Sequence, residues 1–141
     1  MKYHIHKAVV IGSGTMGAAI AAHLANAGVP VTLLDVVPKD APANSREARN
    51  RIVNEGWDRC LKAKPANLMS SELKTFVKLG NLEDDFGVVA EADWVCEAIV
   101  ENFEVKQELM ARIDEVRKPN GIVTTNTSGI PVSAIAEGRS K

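Results

Sequence analysis

Apolar residues in this chain fall into short β-branched runs separated by longer stretches of helical period, which predicts strand, helix and strand in succession. Ala8-Val-Val-Ile11 is the first run and Val29-Pro-Val-Thr-Leu-Leu34 the second. Between them Met16, Ile20 and Leu24 recur at i, i+4 and i+8. Gly17 and Ala21 form an adjacent stripe of small residues, which lets a helix backbone approach a sheet closely. Gly28 comes next as the helix terminator. A crossover of this length between two apolar strands requires a parallel pair covered on both faces.

The remaining pattern continues the same alternation. Asp35 ends the second strand, and Val36 to Asn44 reads as a Pro-containing loop. Asn44-Ser-Arg-Glu47 has the form of a capping box that opens one helix running to about Lys62. Ala48, Ile52, Val53, Trp57, Cys60 and Leu61 make its apolar face, and Pro65 blocks any helical continuation. Phe76 to Leu79 predicts a short strand, Asp84 to Ala92 a short helix, and Trp94 to Val100 a strand. Asn102 caps another helix with Val105, Leu109, Ile113 and Val116 on its inner face, and Pro119-Asn-Gly121 ends it. Ile122-Val-Thr-Thr125 is the last strand. The expected fold is α/β, a single domain over residues 1–141 with a doubly wound, mostly parallel sheet of Rossmann type.

Composition narrows the class. The 141 residues are 45% hydrophobic and 25% charged, enough for one packed core. A net charge of −1 gives no overall field toward nucleic acid or an acidic membrane, so neither partner is expected. No run reaches the roughly 18 apolar residues of a membrane span, and the apolar run after Lys7 is too short for a signal peptide. A cytoplasmic location is therefore expected. Cys60 and Cys96 have no CxxC spacing and read as reduced core thiols. Charge is uneven, with six basic and three acidic residues over 46–64 but eight acidic and no basic residues over 81–104. The basic cluster is either a solvated helix face or a site for a phosphate-bearing substrate handle.

Candidate chemistry begins at Gly12-Ser13-Gly14-Thr15-Met16-Gly17, a GxGxxG pattern that succeeds a predicted strand and opens a predicted helix. In that context Gly12 makes the tight turn, Gly14 lets the backbone approach a pyrophosphate, and Gly17 packs the helix closely. The free N–H groups at the helix start attract the phosphate charge. Asp35 lies 18 residues past Gly17, where a carboxylate accepts hydrogen bonds from the adenosine ribose and repels a 2′-phosphate. NAD is thus favoured over NADP. Ser128, past the last strand, reads either as a substrate-facing hydroxyl or as a turn residue. Glu101 reads either as a crevice carboxylate or as a complement to a helix dipole. His4 and His6 precede the first strand, His23 sits late in the first helix, and His4-x-His6 lacks a third ligand, so no metal site is expected.

With Val10 to Gly17, Glu97-Ala-Ile-Val-Glu-Asn102 and Thr125-Asn-Thr-Ser128 in this order, the chain resembles the NAD-binding domain of 3-hydroxyacyl-CoA dehydrogenase from about Lys7 to Arg139. Ala22 to Gly28, Lys62 to Pro65 and Ser128 to Ile130 look closest to the long bacterial fatty-acid oxidation proteins, where such a domain is fused to an enoyl-CoA hydratase region. The resemblance implies that Asp35 holds the ribose, that Ala98, Glu101 and Lys106 contact the nicotinamide half, and that Ser128 bonds the substrate oxygen and the cofactor. It also implies an acyl-CoA substrate, contact between the basic helix near Lys62 and CoA, and a homodimeric full-length parent. The family's catalytic His, in a His-Phe-Phe-Asn-Pro segment, and its Glu partner are expected past Lys141, as are the final strands of the sheet and a helical C-terminal domain. The fragment is accordingly expected to be truncated and inactive. Two other classes stay open on the residues alone: an NAD-sensing module without chemistry, and the related 3-hydroxyacid dehydrogenases, against which the Glu97 to Asn102 segment argues.

Overall fold

Alternate residues of the first strand, β1 (Ala8–Ile11), enter two different hydrophobic layers, because successive side chains of a strand point to opposite faces. Ala8 and Val10 join one layer, Val9 and Ile11 the other. This computed structural model describes residues 4–140. Its sheet has five parallel strands in the order β3-β2-β1-β4-β5. The others are β2 (Val31–Asp35), β3 (Val77–Asn81), β4 (Trp94–Glu97) and β5 (Ile122–Thr125). Helices α1 (Thr15–Asn26) and α3 (Arg51–Lys62) cover one face. The other is covered by α4 (Phe103–Val116), α5 (Val132–Ile135) and a 3-10 turn at Phe86–Glu91. This is the expected doubly wound sheet of Rossmann type. Among the described residues β5 pairs only with β4 and forms an edge.

The core is small-sided where the first helix meets the sheet. Ala18, Ala21, Ala22 and Ala25 are fully buried, whereas Met16 is 55% exposed at the mouth of the glycine turn. Of the expected stripe of Met16, Ile20 and Leu24 only Met16 is corrected: Leu24 is buried and Ile20 packs against the same layer, beside the alanines that let the backbones approach closely. Val10 and Leu33 are fully buried beneath α1 and Ile11 and Leu34 on the opposite face of the sheet, each stabilising the fold by about 1.5 to 3 kcal/mol.

Other expectations shift in detail. The helix expected from Arg46 to Lys62 breaks at buried Asn50 into α2 (Arg46–Arg49) and α3, where the Asn50 side-chain oxygen accepts a hydrogen bond from Asn81 Nδ2 at 2.7 Å. Ser45, not Asn44, caps α2, accepting from Ala48 N. Leu61 points outward. The strand expected to reach Val100 ends at Glu97, and Val100 is exposed. The inner face of α4 is Lys106, Leu109, Met110 and Ile113, leaving Val105 and Val116 exposed.

The two charged segments meet across the molecule. Arg49 reaches Glu83 and Asp84 at 2.7 and 2.8 Å, Arg46 reaches Asp85 at 2.9 Å, and Arg51 pairs with Asp40. Surface pairs of this kind contribute little each, but these fasten α2 over the end of β3. Half of the basic cluster is thereby neutralised. Among the described residues Arg59, Lys62 and Lys64 make no ion pair.

Candidate functional site

From β1 the chain crosses to β2 on one side, and it later returns to place β4 on the other, so a crevice opens at the carboxyl ends of β1 and β4. Gly12 turns there at φ +106°, a conformation that L side chains rarely adopt, and a Cβ on it would lie 2.5 Å from the Ala98 carbonyl oxygen. A Cβ on Gly17 would strike the Gly12 carbonyl, which is why α1 can start so tightly against the turn. Around Gly14 there is open space, with no atom within 4 Å of a would-be Cβ. Gly14 is also the N-cap of α1, no side chain caps this helix, and its first turn holds no acid. Room, unclaimed N–H groups and the positive end of a helix therefore coincide, which suits a pyrophosphate.

Asp35 stands at the end of the neighbouring strand, half-buried. Its Oδ2 accepts from Ser13 N at 2.7 Å and from the Ser13 hydroxyl at 2.5 Å, while Oδ1 accepts from Val36 N at 2.7 Å. The Ser13 hydroxyl has one proton, and Ile52 O at 3.3 Å is the more distant acceptor. Helix α3 presses on the same residue, since a Cβ on Gly56 would lie 2.6 Å from Ser13 Oγ. Carboxylate, glycine turn and α3 thus form one unit that fits the adenosine ribose.

On the far side of the crevice Glu101, just ahead of α4, reaches the segment after β5. Its Oε1 accepts from the Thr127 hydroxyl at 3.1 Å, Ser128 N at 3.2 Å and Gly129 N at 3.4 Å. The Ser128, Thr127 and Gly129 contacts hold its carboxyl below the usual range. The N-cap of α4 is Asn102, whose Oδ1 accepts from Val105 N at 3.0 Å, as the sequence suggests. Ser128 is exposed on the turn that Glu101 grips. Lys106 lies deeper than its expected role suggests. Its side chain is fully buried, 2.6 Å from Glu97 Oε1 and 3.2 Å from Ile99 O.

Sequence reasoning misses Glu97, though a carboxylate in the apolar run Trp94 to Val100 is itself a signal, because a buried charge requires a partner. Gly56 carries no local signal at all. The histidines lie elsewhere: His6 N bonds Asp93 Oδ2 just before β4 begins, at the opposite ends of the strands, and His23 is on α1. Among the described residues no group of three or more His, Cys, Asp or Glu is placed to hold a metal ion.

Comparison with known proteins agrees with this geometry. Residues 7–141 match the family described as "3-hydroxyacyl-CoA dehydrogenase, NAD binding domain". A Bacillus subtilis (strain 168) protein named "Probable 3-hydroxyacyl-CoA dehydrogenase" is 49% identical over 149 residues, covering 99% of this chain and 19% of the relative. A Deinococcus radiodurans protein of the same name is 47% identical, covering 97% of this chain and 38% of the relative. The crystal structure of 3-hydroxybutyryl-CoA dehydrogenase from Escherichia coli K12 superposes with a TM-score of 0.72 at 33% identity, over 97% of this chain and 28% of that one. The chain thus spans well under half the length of these relatives. The glycine turn, the strand-end carboxylate and the match over residues 7–141 lead to one assignment: this chain belongs to the NAD-binding domain family of 3-hydroxyacyl-CoA dehydrogenase.

Proposed function

We propose that this chain is the NAD-holding portion of an oxidoreductase that converts L-3-hydroxyacyl-CoA to 3-ketoacyl-CoA in fatty-acid β-oxidation. The observation that carries the reading is the convergence on one crevice of the open Gly14 turn, the Ser13-bound Asp35 and the Glu101-held Ser128 turn. In this reading residues Gly12, Ser13, Gly14, Thr15, Met16 and Gly17 receive the pyrophosphate and Asp35 receives the ribose hydroxyls. Ala98 walls the nicotinamide half, with Glu101 and Lys106 shaping it, and Ser128 offers its hydroxyl to the substrate oxygen. Bound NAD supplies the hydride acceptor. The protein's contribution is orientation and the exclusion of a 2′-phosphate. Arg59, Lys62 and Lys64, which make no ion pair among the described residues, are the cations available for the phosphates of an acyl-CoA handle, and the full-length parent acts as a homodimer.

Fluorescence titration with NADH and NADPH tests the reading. NADH should bind more tightly, with the difference reduced in Asp35→Ala. Equal affinity for both nucleotides in the unmutated chain would overturn it.

A further inference from the structure

Two charges lie inside this domain where neither can reach solvent. Glu97, at the carboxyl end of the inner strand β4, and Lys106, in the first turn of α4, are both fully buried and 2.6 Å apart. Burying such a pair is costly, and well-packed apolar residues of the same volume often hold a core together at least as well. What apolar residues cannot supply is direction, and this pair distributes hydrogen bonds to specific backbone and hydroxyl groups. Glu97 Oε1 also accepts from Ile99 N at 2.7 Å, and Lys106 Nζ also donates to Ile99 O at 3.2 Å, so both polar groups of the residue after Ala98 are fixed. Glu97 Oε2 accepts from the Thr125 hydroxyl at 2.5 Å, whose oxygen in turn accepts from Thr127 N at 3.2 Å. The Glu97 carbonyl accepts from Asn126 N at 2.8 Å.

These bonds end on the two segments that border one end of the crevice. One is the Ala98 wall, whose carbonyl abuts the Gly12 turn, and the other is the turn that carries Ser128. We propose that Glu97, paired with Lys106, is a positioning residue for the nicotinamide end of the crevice, setting the Ala98 wall and the Thr125 to Ser128 turn relative to each other without touching the cofactor. The proposal rests on the reading of the crevice as an NAD site. It extends that reading by separating the two ends: the adenosine end is set by Ser13 and Asp35, the nicotinamide end by Glu97, with no shared hydrogen bond.

The separation gives the test. Unmutated chain, Glu97→Gln and Thr125→Val are titrated with NADH and with ADP-ribose, which lacks the nicotinamide, while thermal unfolding is monitored in parallel. Glu97→Gln should lose about tenfold or more in NADH affinity and less than twofold in ADP-ribose affinity. Thr125→Val, which removes the hydroxyl bond to Oε2 together with the acceptor for Thr127 N but leaves the Glu97–Lys106 pair intact, should show the same split with a several-fold loss. It decides the matter if Glu97→Gln does not fold. A purely structural role would lower both affinities together or only the unfolding temperature, and either result overturns the proposal. So does equal affinity of the unmutated chain for NADH and ADP-ribose, since there would then be no nicotinamide contribution to position. Failure of the unmutated chain to bind either ligand would overturn the NAD-site reading itself.

Discussion

Ser13 and Asp35 are joined twice, through the backbone amide at 2.7 Å and the hydroxyl at 2.5 Å, both to the same carboxylate oxygen. The carboxylate that ends β2 is therefore aimed by the glycine turn itself. In the proposed reading the carboxylate for the ribose and the turn for the phosphates are mechanically one feature, and a change in either displaces the other.

Asp35→Ala removes the carboxylate and leaves the Ser13 hydroxyl to find another acceptor. NADH binding should weaken by about 1.5 to 3 kcal/mol, the range for hydrogen bonds to charged groups, and the preference over NADPH should narrow. Isothermal titration with both nucleotides measures the two effects. Unchanged NADH affinity would remove Asp35 from the site.

Gly56→Ala places a methyl group 2.6 Å from Ser13 Oγ and closer still to the Ser13 carbonyl. The Ser13 carbonyl is backbone and cannot yield without moving the glycine turn, so the turn shifts or α3 backs away. Overpacking of this kind costs about 1 to 3 kcal/mol. Denaturant unfolding should show that loss, and NADH affinity should fall with it, although Gly56 lies outside every expected cofactor contact. Loss of stability with intact NADH binding would show that α3 can move independently of the turn.

Acid should unfold the domain progressively. Asp84 is held at about 2 by Arg49 and Asn81, Asp93 at about 2 by Lys118 and the amides of His6 and Lys7, and Asp114 at about 2 by the Ser140 hydroxyl and amide and Arg117. The ordinary value is 3.8, so the unfolded chain takes up these protons first on acidification. The stabilisation is complete above about pH 4 and is lost as pH falls toward 2. Circular dichroism melts at stepped pH should show the decline in that window, shallower in Asp84→Asn. A melting temperature independent of pH between about 4 and 2 would mean that these contacts do not persist in solution.

The 141-residue chain should bind NADH without oxidising 3-hydroxyacyl-CoA. His4 and His6 lie before β1, at the far ends of the strands from the glycine turn, and His23 sits on α1. A neutral Ser128 hydroxyl keeps its own proton at about pH 7 without an acceptor. A positioned general base contributes about 10² to 10⁴ in rate, enough to put turnover below detection. NADH formation by the purified chain, free of host enzyme, would show that a catalytic base is present among these residues.

The glycine turn and Asp35 are legible in the sequence because their meaning is local. Spacing, a preceding strand and a succeeding helix suffice to single out Gly12, Gly14 and Gly17, and the structure gives Gly12 its positive φ, Gly17 its close contact with the turn and Gly14 open space. The phase of α4 is not legible, since Val105 and Val116 look like core residues and Lys106 like a surface one. Rotating the helix by one position buries Lys106, and only the presence of Glu97 on the adjacent strand makes that rotation favourable. The break at Asn50 has the same origin, in a partner 31 residues away. The grip of Glu101 on the Ser128 turn, 27 residues on, likewise depends on the sheet that brings them together.

Gly56 is adjacent in sequence to Trp57, which faces the buried layer beneath α1 and is 6% exposed, and Trp94 at the start of β4 packs against the same layer, its indole N–H on the Thr124 hydroxyl. The two indoles therefore pack on the same buried layer of the sheet. Nicotinamide in its reduced form absorbs where tryptophan emits, so resonance energy transfer to bound NADH should lower the tryptophan emission. If the crevice holds NAD as proposed, the two indoles are a built-in optical gauge of its occupancy, and Trp94→Phe would isolate the Trp57 signal.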